Sequence, residues 1–529
     1  MLDTPVFGSA AVAAPHRLAS EAGRAILAEG GNAAEAMVAM AATIAVVYPH
    51  MNGIGGDGFW LVHEPGGKMH GIEACGPAGS LATIERYRRQ GYDAIPARGP
   101  EAALTVAGAV AGWALAGELA RALGGRMPLR ELLLDAIAHA REGYAISASE
   151  CRNQPNELAA LKAAPGFLAA FWPEGEAPKP GTRRNNIALA DTLRHLADAG
   201  LDDFYRGDVG REIAADLERI GAPVTRGDLQ RFKARSVTPL SLSLPGLTAF
   251  NLPPPTQGLA SLLILGLFEK LGPAALDSFG HHHGLIEATK RALSLRDRHV
   301  TDPAHADIAP AELLSETALA REAALIDARR AAPWPVKQSH GDTVWMGAID
   351  AKGLAVSYIQ SIYWEYGSGC VLPATGIHWQ NRGTSFSLDP AAVNPLQPGR
   401  KPFHTLNPAL ARFSDGRVLA YGSMGGDGQP QFQAQILTRY RLGQNLAEAV
   451  DAPRWLYGRL WGSASTALKV ENRFDPGLLE RLDAAGHPVE EASEAYSEGF
   501  GHAGMLVKHP RGHVEAVHDP RSDGDSRGI

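Results

Sequence analysis

Asp342-Thr343-Val344-Trp345-Met346-Gly347-Ala348-Ile349, followed by Asp350-Ala351-Lys352-Gly353 and then by residues 354–363, is the stretch on which the fold turns. Its first eight residues read as a strand, the next four as a tight turn containing glycine, and the last ten as a partner strand. The segment therefore predicts a β-hairpin. Residues 406–413, a turn at Asp415-Gly416 and residues 417–421 predict a second hairpin, and residues 431–440 a helix beyond it. Strand pairs that enter and leave helices point to antiparallel sheets covered by helices, an α+β layered class.

Outward from this core the texture changes near Pro335, and the preceding chain is richer in helical signals. Leu18, Ala22, Ala25 and Ile26 share one helical face between Pro15 and Gly30-Gly31. Asn32 stands three residues before Glu35 and just ahead of an apolar run, the pattern of a capping box. That run, residues 37–48, is too short to span a membrane, which takes about twenty residues, and reads as a buried helix. Residues 209–220 form an amphipathic piece, residues 240–252 alternate loosely as one half-buried strand would, and residues 258–271 and 285–298 return to helical spacing.

The composition excludes several classes of function. The chain has 529 residues, with 45% hydrophobic and 20% charged side chains, an ordinary globular mixture long enough for a sizeable core. Its formal net charge of −7 opposes generic binding to nucleic acid. Cys75, Cys151 and Cys370 have no metal-like spacing and read as buried thiols of a reducing compartment. The first fifteen residues lack the basic and apolar regions of a secretory signal, so a cytoplasmic location is expected. His281-His282-His283 reads as a polar helix start rather than a metal site, because adjacent side chains diverge on a helix. Gly53-Ile54-Gly55-Gly56-Asp57-Gly58 lacks the lysine of a phosphate-binding loop and reads as a tight turn beneath a helix, with Asp57 otherwise standing behind the site. No cofactor or metal is expected.

Several motifs, taken in order, resemble the γ-glutamyltransferase family of N-terminal-nucleophile hydrolases. They are Asn32 to Glu35, the glycine run 53–58, Val106-Ala107-Gly108-Ala109-Val110-Ala111-Gly112-Trp113, Asn251-Leu252-Pro253-Pro254-Pro255, Asp342-Thr343, Gly367-Ser368-Gly369 and Gly425-Gly426. The resemblance covers almost the whole chain. It implies an αββα sandwich and a proenzyme that cuts itself before a threonine. Thr343 matches the family's nucleophile, so the bond between Asp342 and Thr343 is the expected processing site. Cutting there yields a large chain, 1–342, and a small chain, 343–529, of 187 residues, held in one intertwined unit that could itself pair as a dimer. A freed α-amine, with an ordinary pKa of about 7.7–8.0, can take the hydroxyl proton where an amide nitrogen cannot. Gly425 and Gly426 match the oxyanion loop, and Ser361 falls where the family keeps a second hydroxyl near the nucleophile.

The donor pocket departs from the family pattern. Where the resemblance calls for an arginine, the chain reads Gly71-Ile72-Glu73-Ala74-Cys75-Gly76-Pro77; the acidic segment becomes Gln380-Asn381-Arg382-Gly383-Thr384-Ser385; and the serine pair becomes His404-Thr405. Losing the acid that meets an ammonium while gaining Arg382 turns a site for a zwitterion into one favouring an anion or a neutral carbonyl-rich group. Together with Gly425-Gly426-Asp427-Gly428-Gln429-Pro430-Gln431, the pattern is similar to the oxamate amidohydrolase branch. It implies hydrolysis of a small amide next to a carboxylate, with Arg382, His404, Thr405, Tyr363 and Asn381 as substrate contacts. Arg382 could instead pair with a surface acid, and His404 could be a packed histidine. Two alternatives stand beside this reading: a γ-glutamyltransferase or glutathione hydrolase with a rearranged pocket, and a non-catalytic protein that keeps the sandwich for binding.

Overall fold

The computed structural model describes residues 2–153, 155, 157–272, 274–333, 341–458, 465 and 467–529. The change of texture at Pro335 and the side chain of Asp342 lie outside the described residues. Fourteen strands build two seven-stranded sheets. In chain order they are β1 (Val6–Phe7), β2 (Ala11–Ala14), β3 (Asp57–His63), β4 (Met69–Ala74), β5 (Arg235–Val237), β6 (Leu240–Leu244), β7 (Leu247–Asn251), β8 (Asp342–Ile349), β9 (Ala355–Tyr363), β10 (Ala409–Phe413), β11 (Val418–Ser423), β12 (Ala503–Lys508), β13 (Val514–His518) and β14 (Asp525–Gly528).

One sheet has the order β14-β2-β8-β9-β3-β4-β5 and the other β1-β13-β12-β11-β10-β7-β6, with antiparallel pairing throughout both. The predicted hairpin β8–β9 lies at the centre of the first sheet. Alternation along β8 explains the layering: Trp345 and Ile349 join the core between the sheets, with Phe59, Leu410 and Leu506. Val344, Met346 and Ala348 point the other way, into a helical layer that includes Ala33–Val47 and Ala109–Ala122. A second helical layer, with Gly258–Lys270 and Gln429–Arg441, covers the other sheet. This is the expected αββα sandwich.

Local signals were realised closely. Asn32 and Glu35 form the reciprocal capping box of Ala33–Val47, and Arg17–Ala28, Asp208–Ile220 and Gly258–Lys270 are helices. Two expectations need correction. Residues 240–252 form not one strand but the hairpin β6–β7, turned at Pro245-Gly246, where Gly246 takes a φ of 80° that disfavours a side chain. The histidine triplet does start a helix, Phe279–His299, but all three rings are buried rather than solvated. Cys75 and Cys370 are buried and Cys151 is half-buried, and all three are free thiols. Among the described residues, no helix is long and apolar enough to cross a membrane.

Candidate active site

Thr343, second residue of β8, is fully buried at a break in the ladder. Asp342 pairs with Tyr363 and Val344 with Gln360, so Ser361 and Ile362 together oppose Thr343. Such a bulge on β9 re-aims side chains at a strand end. Beyond it Tyr363 adopts a φ of 82°, and its amide donates to Ser361 Oγ at 2.8 Å. Ser361 therefore sits across the ladder from Thr343. The glycine run packs behind it: a Cβ on Gly56 would stand 2.2 Å from the Ser361 carbonyl oxygen, so only glycine permits this approach. Gly56 O accepts from the amides of Gly108 and Ala109, which fits the reading of a tight turn beneath a helix.

The facing sheet supplies the second wall. β11 ends at Ser423, and the chain turns through Gly425 (φ 122°) and Gly426 (φ 53°) into the helix Gln429–Arg441. A Cβ placed on Gly341, the residue before β8, would lie 3.5 Å from Gly426 Cα, so the two sheets meet here. The loop is held from behind. Gln257 Nε2 donates to Gly426 O at 2.8 Å and to Thr405 O at 2.7 Å, while its Oε1 accepts from Arg296 Nη1 at 2.8 Å. Arg296 Nη1 also donates to Asp427 Oδ1 at 2.7 Å. Desolvation opposes the charge of Arg296, but Asp427 and Asp297 outweigh it and raise its pKa. With the carbonyl of Gly426 tied to Gln257, its backbone orientation is fixed before any substrate arrives. Gln257 and Arg296 were missed by sequence reasoning, although Gln257 stands two residues past the Asn251–Pro255 motif.

Arg382 is 1% exposed. Its guanidinium lies over the Tyr363 ring at 3.6 Å, and Nη2 donates to Thr405 Oγ1 at 3.3 Å. Among the described residues Nη1 has no hydrogen-bond partner, and no carboxylate lies within ion-pair distance of the guanidinium. Burial lowers its pKa to about 10, which leaves it charged at neutral pH. A pairing with a surface acid, the alternative reading of Arg382, is therefore not what the fold provides. His404 is also fully buried, edge-on to Phe59 at 4.9 Å. Its Nε2 is 3.2 Å from Asp57 Oδ2, but the angle falls outside a hydrogen bond. Burial, then the charge of Arg382, pushes the histidine well below its ordinary range, so the contact is one of a neutral ring.

Asp57 Oδ1 accepts from Gly76 N, Gly108 N and Gln380 Nε2 at 3.2, 3.0 and 3.2 Å. Burial nonetheless raises its pKa to about 7, with Arg382 pulling the other way. A carboxyl with a raised folded-state value contributes stability that is complete below the unfolded value of about 3.9 and is lost as pH rises through about 7. Asp57→Asn is accordingly expected to gain in thermal midpoint relative to wild type between pH 5 and pH 8. A difference between the two that stays constant across this range would contradict it.

Asn381 is fully buried between two loops. Its Oδ1 accepts from Trp364 N at 3.1 Å and its Nδ2 donates to Ala97 O at 2.9 Å, so its amide clamps two loops beside the site. The large chain does bring an arginine close: Arg98 is buried, donates to the carbonyls of Glu365 and Gly367 and pairs with Glu365 at 3.2 Å. It holds the loop after Tyr363. The histidine triplet also gains partners that its spacing did not reveal. His283, Glu287 and His487 converge, but on each other: His283 Nε2 donates to Asp327 O, its Nδ1 accepts from His487 at 2.8 Å, and Glu287 takes Lys290 at 2.7 Å.

Facing antiparallel sheets between helical layers, with a buried threonine opening a central strand against a glycine turn from the other sheet, define an N-terminal-nucleophile hydrolase. The sequence profile described as Gamma-glutamyltranspeptidase matches residues 19–529, and the chain belongs to that family. It is 54% identical over 517 residues to the oxamate amidohydrolase proenzyme of Klebsiella pneumoniae, covering 97% of each chain. It is 38% identical to the glutathione hydrolase-like YwrD proenzyme of Bacillus subtilis, covering 98% of each. The crystal structure of cephalosporin acylase from Bacillus halodurans superposes with a TM-score of 0.90 at 31% identity, over 100% of this chain and 97% of that one. The chain is accordingly an enzyme, an amide hydrolase with a threonine nucleophile.

Proposed function

We propose that the chain is a self-processing amidohydrolase acting on a small amide whose carbonyl adjoins a carboxylate, as in oxamate. The observation that carries this reading is the buried, positively charged Arg382, whose Nη1 has no partner among the described residues. A buried cation without a counter-charge carries a large desolvation penalty, and a substrate carboxylate that pairs with it removes that penalty on binding. The likeness to a proenzyme named for oxamate supports the same substrate class.

In this mechanism Thr343 Oγ1 first attacks the carbonyl carbon of Asp342, the C–N bond breaks to release the Thr343 nitrogen as an amine, and water hydrolyses the resulting ester, freeing Oγ1 and the carboxylate of Asp342. That amine then takes the proton of Oγ1 as Oγ1 attacks the substrate amide carbon. The tetrahedral oxygen is met by the amides of the Gly425-Gly426 turn, an interaction whose loss typically costs about 2.7–4 kcal/mol. Collapse breaks the C–N bond, the ammonium passes its proton to the leaving nitrogen, and ammonia departs. Water, deprotonated by the same amine, hydrolyses the remaining ester and frees the dicarboxylate. Arg382 and Thr405 hold the carboxylate, and neutral His404 adds a polar wall without a second charge.

Turnover of oxamate, glutathione, a γ-glutamyl anilide and a glutaryl amide by purified protein tests the assignment. Oxamate is expected to have the highest kcat/KM, by at least about tenfold, which corresponds to about 1.4 kcal/mol. Preferential turnover of glutathione would point instead to a γ-glutamyl enzyme with a rearranged pocket. No turnover of any of the four, with the chain uncut, would point to a binding protein.

A further inference from the structure

We infer that Gln429 is a catalytic residue that orients Thr343, contacting its hydroxyl from the start and its nitrogen once that nitrogen is free. The inference rests on Thr343 being the nucleophile. Gln429 opens the helix Gln429–Arg441 directly after the Gly425–Gly428 turn, is fully buried, and cannot swing to solvent. Its Nε2 lies 3.4 Å from Thr343 Oγ1. Its Oε1 is buried too and has no hydrogen-bond partner among the described residues.

That pairing of one used and one unused arm is the informative feature. A buried acceptor left unmet costs about 1–3 kcal/mol, and folded proteins seldom keep one without reason. The three other glutamines of this helix meet their needs: Gln433 donates to Asn407 O and accepts from Asn251 Nδ2. Gln431 donates to Asp427 O and Tyr457 O and accepts from Tyr457 N, and Gln435 donates to Trp455 O and accepts from Trp455 N. Of these four, Gln429 alone has its oxygen unmet among the described residues, while its Nε2 meets the hydroxyl of the nucleophile.

The chemistry of maturation supplies the missing donor. Before the cut, the nitrogen of Thr343 carries one hydrogen locked in a peptide plane. Afterwards it is a tetrahedral amine that can turn its hydrogens. The nitrogen and Oγ1 of a threonine are separated by one rotatable Cα–Cβ bond, so a single carboxamide can span both. With Nε2 on Oγ1 and Oε1 accepting from the amine, the nitrogen lone pair is left pointing at the hydroxyl proton it must remove. During attack Oγ1 gives that proton to the amine and forms its bond to the substrate carbon, while the Nε2 donor steadies the oxygen as negative charge builds on it. The same donor acts on Oγ1 when it attacks the carbonyl of Asp342, so Gln429 serves both reactions.

Two variants test this. Gln429→Met keeps length and burial but removes both arms. It is expected to slow self-cleavage, followed by intact mass, by at least tenfold. In the matured protein it should lower kcat by a similar factor with KM within about twofold. Gln429→Glu places a carboxylate beside the amine and stabilises its protonated form. Because the unprotonated amine is the active form, the acid limb of the kcat/KM profile is expected to move to higher pH by about one unit. A packing role would change the thermal midpoint but leave that limb where it is. Wild type cut before Thr343, with Gln429→Met cutting at the wild-type rate and Gln429→Glu keeping the wild-type limb, overturns the role of Gln429 alone. Active wild type whose Thr343 nitrogen is still in a peptide bond overturns the reading of the site itself.

Discussion

Thr343→Ala is expected to leave the 529-residue chain in one piece and to abolish turnover, with kcat falling by about 10⁶ as when other enzymes lose their nucleophile. The two losses have one origin. The hydroxyl that must attack the carbonyl of Asp342 is the hydroxyl that must later attack substrate, and the base for the second attack is produced by the first. The variant should still fold: Thr343 is buried, but among the described residues the side-chain hydrogen bond lost is the long one from Gln429, and a missing hydroxyl leaves at most one unmet donor there. Its circular dichroism should match wild type while its intact mass remains that of the whole precursor. Thr343→Ser, which keeps the hydroxyl, is expected to be cut and to turn over more slowly, since the methyl group that restricts χ1 is gone. Fragments of 342 and 187 residues from the alanine variant would show that another group performs the cut, and the amine-base mechanism would fall with that result.

What could be read in advance, and what could not, follows the distance over which residues act. The β8–β9 hairpin, the capping box at Asn32 and Glu35 and the turn at Asp415-Gly416 are local patterns, and each is present. The split of residues 240–252 into two strands was equally local, signalled by Pro245-Gly246, but the loose apolar alternation on either side hid it. Contacts set by topology had no such signal. Asp57 and His404 belong to opposite ends of the chain and meet only because β3 and the loop before β10 come together at one end of the sandwich. The chain Gln257–Arg296–Asp427 joins a helix start, a second helix and the glycine turn. Asn381 is a further case: the direction of its amide, which meets Trp364 and Ala97, is decided by the loops around it and has no local signal.

Arg382→Ala should separate recognition from maturation. Self-cleavage is expected to proceed, because Arg382 contacts Tyr363 and Thr405 but not the bond being cut. For an oxamate-like anion, kcat/KM should fall about ten- to a hundredfold, since a charge-assisted hydrogen bond contributes about 1.5–3 kcal/mol and each 1.36 kcal/mol is a factor of ten. An uncharged amide of the same size should lose far less, so the ratio of the two substrates is the decisive readout. Lysine is not an adequate replacement at this position: the planar guanidinium lies flat on the Tyr363 ring, and an ammonium offers neither that face nor two parallel donors. Arg382→Lys should therefore recover only part of the loss. Because arginine leaves a buried space when truncated, added guanidinium salt should restore some anion turnover to the alanine variant and none to wild type. Equal losses for the charged and uncharged amides, with no rescue, would mean that Arg382 supports the pocket's shape rather than reading a carboxylate. The anion-selective reading would then have to be given up even with Thr343 intact as nucleophile.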